Sequence, residues 1–247
     1  MGTDITFLSG LPRTGSTLLL SILRQNPKIY AHGTSGLCDV MWDMQVSSWN
    51  IVQLKNTPEI PERLLKAIPN LFYNNIDSIV IDKCRAWTLP ANLELIHKYI
   101  TKSPKFIVML RPIVDIVKSF VFIRKMNGWQ NPEHQLLDDN TEPIVRSLAG
   151  VKYSKSINTG QFLYLWYDEF ILNPQETIDK IYNFYGWEKF EHKYTDLKNT
   201  ALERDDLLES IGLHDIRPEI NKRKFEVKLS DELYEKAIQL DKEMGTM

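Results

Sequence analysis

Between positions 9 and 18 the chain reads Ser9-Gly10-Leu11-Pro12-Arg13-Thr14-Gly15-Ser16-Thr17-Leu18. Gly10, four residues, Gly15 and then Ser16-Thr17 reproduce the spacing of a Walker A loop, with serine in place of its lysine. The physics of anion binding survives that change. Glycines permit a tight turn, backbone N–H groups converge, and a helix starting near Ser16 or Thr17 presents the positive end of its dipole. The two hydroxyls add donors, and Arg13 adds a permanent charge on a planar fork that suits an oxyanion. The missing lysine is the one that reaches the β- and γ-phosphates. The loop is therefore suited to holding a phosphate and ill suited to transferring a terminal phosphoryl group. Taken alone, the segment also fits an ordinary strand-to-helix corner.

A second segment runs Phe106-Ile107-Val108-Met109-Leu110-Arg111-Pro112-Ile113-Val114-Asp115-Ile116-Val117-Lys118-Ser119. Its continuous apolar run predicts a buried parallel strand that ends in Arg111. Open parallel sheets bind ligands outside the carboxyl ends of their strands, which is where Arg111 falls. Ser119, eight residues on, is close enough to share an anion with it.

The two segments together resemble the sulfotransferases that use 3'-phosphoadenosine 5'-phosphosulfate (PAPS). Pro12-Arg13-Thr14-Gly15-Ser16-Thr17 matches, position by position, the family loop that holds the 5'-phosphosulfate. Arg111, Asp115 and Ser119 match the second motif, which binds the 3'-phosphate, with Pro112 one place early. A weaker third match is Leu165-Trp166-Tyr167-Asp168-Glu169-Phe170 with Asn173-Pro174 and Ile181 to Gly186. The resemblance spans about residues 5 to 190.

It implies transfer of a sulfuryl group from PAPS to an acceptor hydroxyl or amine by in-line displacement, with release of PAP and no metal. Arg13, Thr14, Gly15, Ser16 and Thr17 would hold the 5' end of the donor, and Arg111 and Ser119 its 3'-phosphate. Arg13 would stabilise the leaving phosphate, and Lys83 would reach the same crevice. The stretches His214-Asp215-Ile216-Arg217 and Lys222-Arg223-Lys224 are similar to a basic loop that closes over the 3'-phosphate in several members. Arg217 and Lys222 are the residues expected there.

The base is where the chain departs from the family. Lys83-Cys84-Arg85 stands where cytosolic members carry Lys-Thr-His, so arginine replaces the histidine. The Gly-Glu-Glu segment of tyrosylprotein-type members is here Ala31-His32-Gly33-Thr34-Ser35, without a carboxylate. His32 is the nearest titratable group and the first candidate base. Asp39 and Asp43 are second candidates. Two other readings stay open. Ile79-Val80-Ile81-Asp82 also fits the Mg²⁺-holding strand of a P-loop nucleotide kinase. A non-catalytic PAP- or PAPS-binding protein fits the absent His and Glu.

The elements that must position these residues alternate. Strands are expected at Ile5–Ser9, Ile79–Asp82, Phe106–Leu110 and Gln161–Trp166. Helices are expected at Leu18–Gln25, Leu89–Tyr99, Asp115–Arg124, Thr177–Tyr185 and Ser230–Met244. Such alternation predicts an α/β fold: three layers, a mostly parallel sheet flanked by helices, as in P-loop NTPases. Residues 34–75 and 127–155 read as variable loops that build the acceptor pocket, with Trp129–Pro143 as a long loop or lid. The tryptophans at 42, 49, 87 and 129 are further candidates for that pocket. The stretch Leu197–Lys228 is charge-rich and shows no period.

The 247 residues fit one large α/β domain, residues 1–247. The 43% hydrophobic and 25% charged content is globular and argues against disordered, collagenous or coiled-coil chains. Thirty Lys+Arg against thirty-two Asp+Glu argue against a nucleic-acid coat protein. The two cysteines lack CxxC spacing and read as reduced thiols. No apolar run suggests a membrane span, and no secretory signal is evident, so a cytoplasmic protein is expected. Met1-Gly2-Thr3-Asp4-Ile5-Thr6 fits a myristoylation pattern, which a strand from Ile5 disfavours. Small-molecule, carbohydrate and peptide acceptors all fit the sequence.

Overall fold

The computed structural model describes residues 4–138, 143–157, 159–200, 205 and 210–245. The amino-terminal lipidation pattern, part of the expected lid and part of the 197–228 stretch lie outside the described residues.

Five parallel strands form one sheet in the order β2-β3-β1-β4-β5. They are β1 (Ile5–Gly10), β2 (Ile29–Thr34), β3 (Ile79–Lys83), β4 (Phe106–Leu110) and β5 (Phe162–Trp166). β1 and β4 are buried throughout, as strands covered on both faces must be. Alternate side chains serve opposite layers. Phe7, Phe106 and Val108 join the cluster that contains Trp87, while Leu8, Ile107 and Met109 join the one that contains Leu19 and Phe170. The register Phe7↔Phe106↔Phe162 stacks three rings across β1, β4 and β5, with centroids 5.1 and 5.0 Å apart.

Helices cover both faces, so the α/β three-layer expectation holds. The helix α1 (Ser16–Leu23) follows β1, and α6 (Ile113–Met126) follows β4. Three further helices occupy the region expected as loop: α2 (Leu37–Asn50), α3 (Val52–Asn56) and α4 (Glu59–Phe72). The helix expected at Leu89–Tyr99 divides into α5 (Pro90–Leu95) and a π-turn at Ile96–Ile100. Residues 144–157, also expected as loop, form α7 (Ile144–Ile157). The remaining helices are α8 (Tyr167–Leu172), α9 (Pro174–Tyr185) and α10 (Asp231–Met244). No helix among the described residues is long and apolar enough to cross a membrane. Cys38 and Cys84 are free thiols buried in one apolar cluster.

The order of strands places the site. From β1 the chain moves out to β2 and back through β3 on one side, then crosses to β4 and β5 on the other. The carboxyl ends of β1 and β4 therefore flank the point where the connections diverge, the usual crevice of such sheets.

Candidate active site

The loop after β1 is held in shape by its glycines and its own side chains. Gly10 has φ +115, and a Cβ there would lie 2.2 Å from the Met109 carbonyl oxygen. Only glycine lets β1 turn this close to β4. Gly15 has φ +75 at the start of α1, and a Cβ there would approach the Tyr167 ring at 3.2 Å. The Thr14 hydroxyl donates to the Leu11 carbonyl at 2.9 Å. Arg13 itself sits in the left-handed region at φ 59, a costly conformation of the kind that collects at functional sites.

Arg13 joins the two segments singled out by sequence. Its Nε donates to the Ser119 hydroxyl at 3.1 Å, and its Nη1 donates to the Leu213 carbonyl. Arg111 donates from Nη1 to the Arg13 carbonyl at 2.8 Å. Its guanidinium lies 4.2 Å from the Tyr167 ring centroid. Arg111 is 3% exposed, and its buried Nε has no hydrogen-bond partner. From the other side of β1, Lys83 reaches Thr17, with Nζ 3.4 Å from the hydroxyl. Lys83 is also buried.

These residues line one cleft of about 260 Å³, together with Ser16, Arg85 and Arg217. Its electrostatics are those of crowded cations. Burial, then Arg223 and Arg111, lower the Arg13 pKa to about 10. Burial lowers Arg111 as well. Burial and then Arg217 lower Arg223. A polyanion entering here would meet several guanidiniums that repel one another without it.

The cleft also contains residues that the sequence reading did not assign. Arg223, Phe225 and His214 arrive from the aperiodic carboxyl-terminal segment, and Tyr167 from the end of β5. His214 Nδ1 lies 2.5 Å from Asp205 Oδ1, and its backbone N–H donates to Asp205 Oδ2 at 3.0 Å. Arginine and histidine in a basic stretch were visible signals, but nothing in the sequence says which of them face inward.

Other expected residues fall elsewhere. His32 lies on β2 with its ring edge-on to Tyr30, centroids 4.5 Å apart, and it does not border the cleft. Burial, then Arg24, lower its pKa. Asp39 and Asp43 are solvent-exposed on α2. Lys222 is outside the lining too, with its Nζ 2.6 Å from Asp168. Asp82 is fully buried and accepts from Ser35 Oγ and Trp87 Nε1, each at 2.6 Å, and from the Tyr73 hydroxyl. Burial pushes its pKa up despite those bonds. Trp87 packs in the core against Phe7, and Trp129 is exposed beneath the Arg124 guanidinium.

A family model described as "Sulfotransferase family" matches residues 6–192. The sulfotransferase domain of a Synechococcus PCC 7002 olefin synthase superposes with a TM-score of 0.61 at 16% identity, covering 99% of this chain and 95% of that one. The sulfotransferase domain from the curacin biosynthetic pathway gives 0.63 at 14%, covering 100% and 99%. Retinol dehydratase, in complex with androsterone and inactive cofactor PAP, gives 0.55 at 16%, covering 99% and 81%. At these identities the likeness is one of fold. No curated protein matches the sequence. The family match covers the loop after β1, the Arg111–Ser119 segment and β5 in one span, and on that ground the chain belongs to the sulfotransferase family.

Proposed function

We propose that this chain transfers the sulfuryl group of PAPS to an acceptor hydroxyl or amine by in-line displacement and releases PAP. One observation carries the reading. Arg13 bridges from the phosphate-type loop to Ser119, while the Arg111 that donates to the Arg13 carbonyl keeps a buried, unpartnered Nε in the same cleft. A cationic group left without an acceptor in a buried site fits an anion that is bound in the working state. The PAP complex of retinol dehydratase, a protein of similar fold, supports the choice of donor.

In this reading Arg13, Thr14, Gly15, Ser16 and Thr17 hold the 5' end of the donor. Arg111, Ser119, Arg217 and Arg223 hold the 3'-phosphate, and Lys222 joins them only by leaving Asp168. When bound, PAPS supplies an activated sulfuryl group whose bridging S–O bond breaks as the acceptor oxygen–sulfur bond forms. Arg13 and Lys83 stabilise charge at the leaving phosphate. The acceptor's proton passes to His214. A carboxylate that accepts from Nδ1–H puts the imidazole lone pair on Nε2 and then stabilises the cation formed. The 2.5 Å separation of Asp205 Oδ1 from His214 Nδ1 supports that role. Asp82, which a Mg²⁺-dependent kinase would need, is instead enclosed by Ser35, Tyr73 and Trp87.

Calorimetric titration with PAP and with ATP, each with Mg²⁺ and with EDTA, tests the proposal. PAP should bind more tightly than ATP and ignore EDTA. Mg²⁺-dependent ATP binding without preference for PAP overturns it. Arg13→Ala and Ser119→Ala should each weaken PAP binding by about 1–3 kcal/mol, the scale of a lost charged hydrogen bond. Wild-type affinity in either variant removes the site assignment.

A further inference from the structure

Arg85 lines the cleft. Its backbone is fixed by its surroundings. It opens the 3-10 turn Arg85–Thr88 that follows β3. Its carbonyl accepts from Ser9 Oγ at 2.9 Å, which ties the turn to β1. Ser9 also meets Thr88, oxygen to oxygen, at 3.1 Å. α7 packs so tightly on the turn that a Cβ on Gly150 would lie 2.6 Å from the Thr88 hydroxyl. The backbone of Arg85 is thereby fixed at the cleft wall.

The side chain is not satisfied. Its Nε is buried without a hydrogen-bond partner, and no carboxylate among the described residues pairs with it. What it offers is a rigid fork of donors matched to a carboxylate. It sits on the β3 side of the loop, whereas Arg111 sits on the β4 side, and β1 separates the two strands. Given a donor nucleotide held by Arg13, Arg111 and Ser119, the β3 side is the acceptor's.

We propose that the acceptor is a hydroxyl-bearing carboxylic acid, with its carboxylate bound by Arg85 and its hydroxyl presented to the sulfuryl group. This rests on the sulfotransferase reading above. The anion is what the orphaned Nε lacks, and the fixed turn sets its distance from the loop. Neutral phenols and neutral carbohydrates offer that N–H only an uncharged acceptor and are disfavoured.

The test uses the full chain loaded with PAP and two matched probe pairs: 4-hydroxyphenylacetate against 4-hydroxyphenylacetamide, and 3-hydroxybutyrate against 3-hydroxybutyramide. Binding is followed by calorimetry. Each acid that binds should do so at least tenfold more tightly than its amide. Arg85→Gln should abolish that preference, and Arg85→Lys should restore part of it, while PAP affinity stays within twofold of wild type in both. Equal binding of acid and amide, binding of no probe, or a preference that survives in Arg85→Gln overturns the proposal. So does a large loss of PAP affinity in Arg85→Gln, which would assign the side chain to the donor. Failure of PAP to bind the wild type overturns the sulfotransferase reading itself, whereas normal PAP binding with indifferent probes overturns only the acceptor class. The acid-against-amide comparison on wild type stands even where a variant fails to fold.

Discussion

His32 and His214 meet different neighbours, and of the two only His214 borders the cleft. His32 is engaged edge-on by Tyr30 on a strand whose side chains do not border the cleft. His214 borders it, with Asp205 on Nδ1. Replacing His214 with Gln should slow PAP formation from PAPS by about 10²–10⁴-fold, the usual contribution of a positioned base. PAP affinity should stay near wild type. His32→Ala should leave turnover unchanged. Steady-state assay of both variants under acceptor saturation checks this, and undiminished turnover in His214→Gln removes it as base. The same contrast marks what sequence can tell at this scale. Arg13, Arg111 and Ser119 were legible because each sits within a few residues of the element that fixes it. His214, Arg223 and Phe225 enter on a segment without helix or strand, where no period tells an inward residue from its neighbour. Lys222 and Arg223 are adjacent, yet one pairs with Asp168 and the other lines the cleft.

Elements were legible where burial makes the pattern simple. β1, β3 and β4 are rich in apolar residues, β4 without interruption, because helices cover both of their faces. β2 escaped because it is an edge strand that mixes Tyr30, His32 and Gly33 among its apolar residues. α4 escaped because Pro61 and Pro69 read as breaks. Pro61 lies in the first turn, where a missing N–H costs nothing, and Pro69 lies one turn from the end. The start of α6 shows a support that only the folded chain reveals. Asp241 of α10, 2% exposed, accepts from the backbone N–H groups of Ile113 at 2.6 Å and Val114 at 3.2 Å. These are first-turn groups with no partner inside their own helix. Asp241→Ala leaves them buried and unpaired, so unfolding free energy should fall by at least about 2 kcal/mol. Asp241→Asn, which keeps one acceptor oxygen, should lose less. Denaturant midpoints compare the two, and an unchanged midpoint in the alanine variant refutes the cap.

At the scale of the molecule, the cleft ties the two ends of the chain together. Arg13 donates to the Leu213 carbonyl across 200 positions, and Asn127, just past α6, exchanges two bonds with Ile211 at 2.9 and 3.0 Å. The segment from Ile211 to Phe225 has no helix or strand of its own, and side-chain bonds together with a backbone bond from Leu197 N–H to the Pro218 carbonyl hold it. The forces there oppose one another without a ligand, because, besides burial, Arg223 lowers the proton affinity of both Arg13 and Arg111, and Arg111 that of Arg13. An anion that neutralises them binds the native chain and not the unfolded one, and so must stabilise the whole fold. At a free concentration of 100 times Kd the gain is about 2.7 kcal/mol. For a chain of this length each kcal/mol moves Tm by about 2–4 °C, so PAP should raise Tm by about 5–10 °C. Arg223→Ala should lose much of that shift at the same PAP concentration, and Lys222→Ala should keep it, since Lys222 is already paired. Raising the salt should shrink the shift by screening the charges. A differential scanning measurement on the three proteins, with and without PAP, reads all of these at once. An equal loss in Lys222→Ala would mean that the carboxyl-terminal segment closes over the nucleotide by breaking the Asp168 pair, and that Lys222 joins the site when it does.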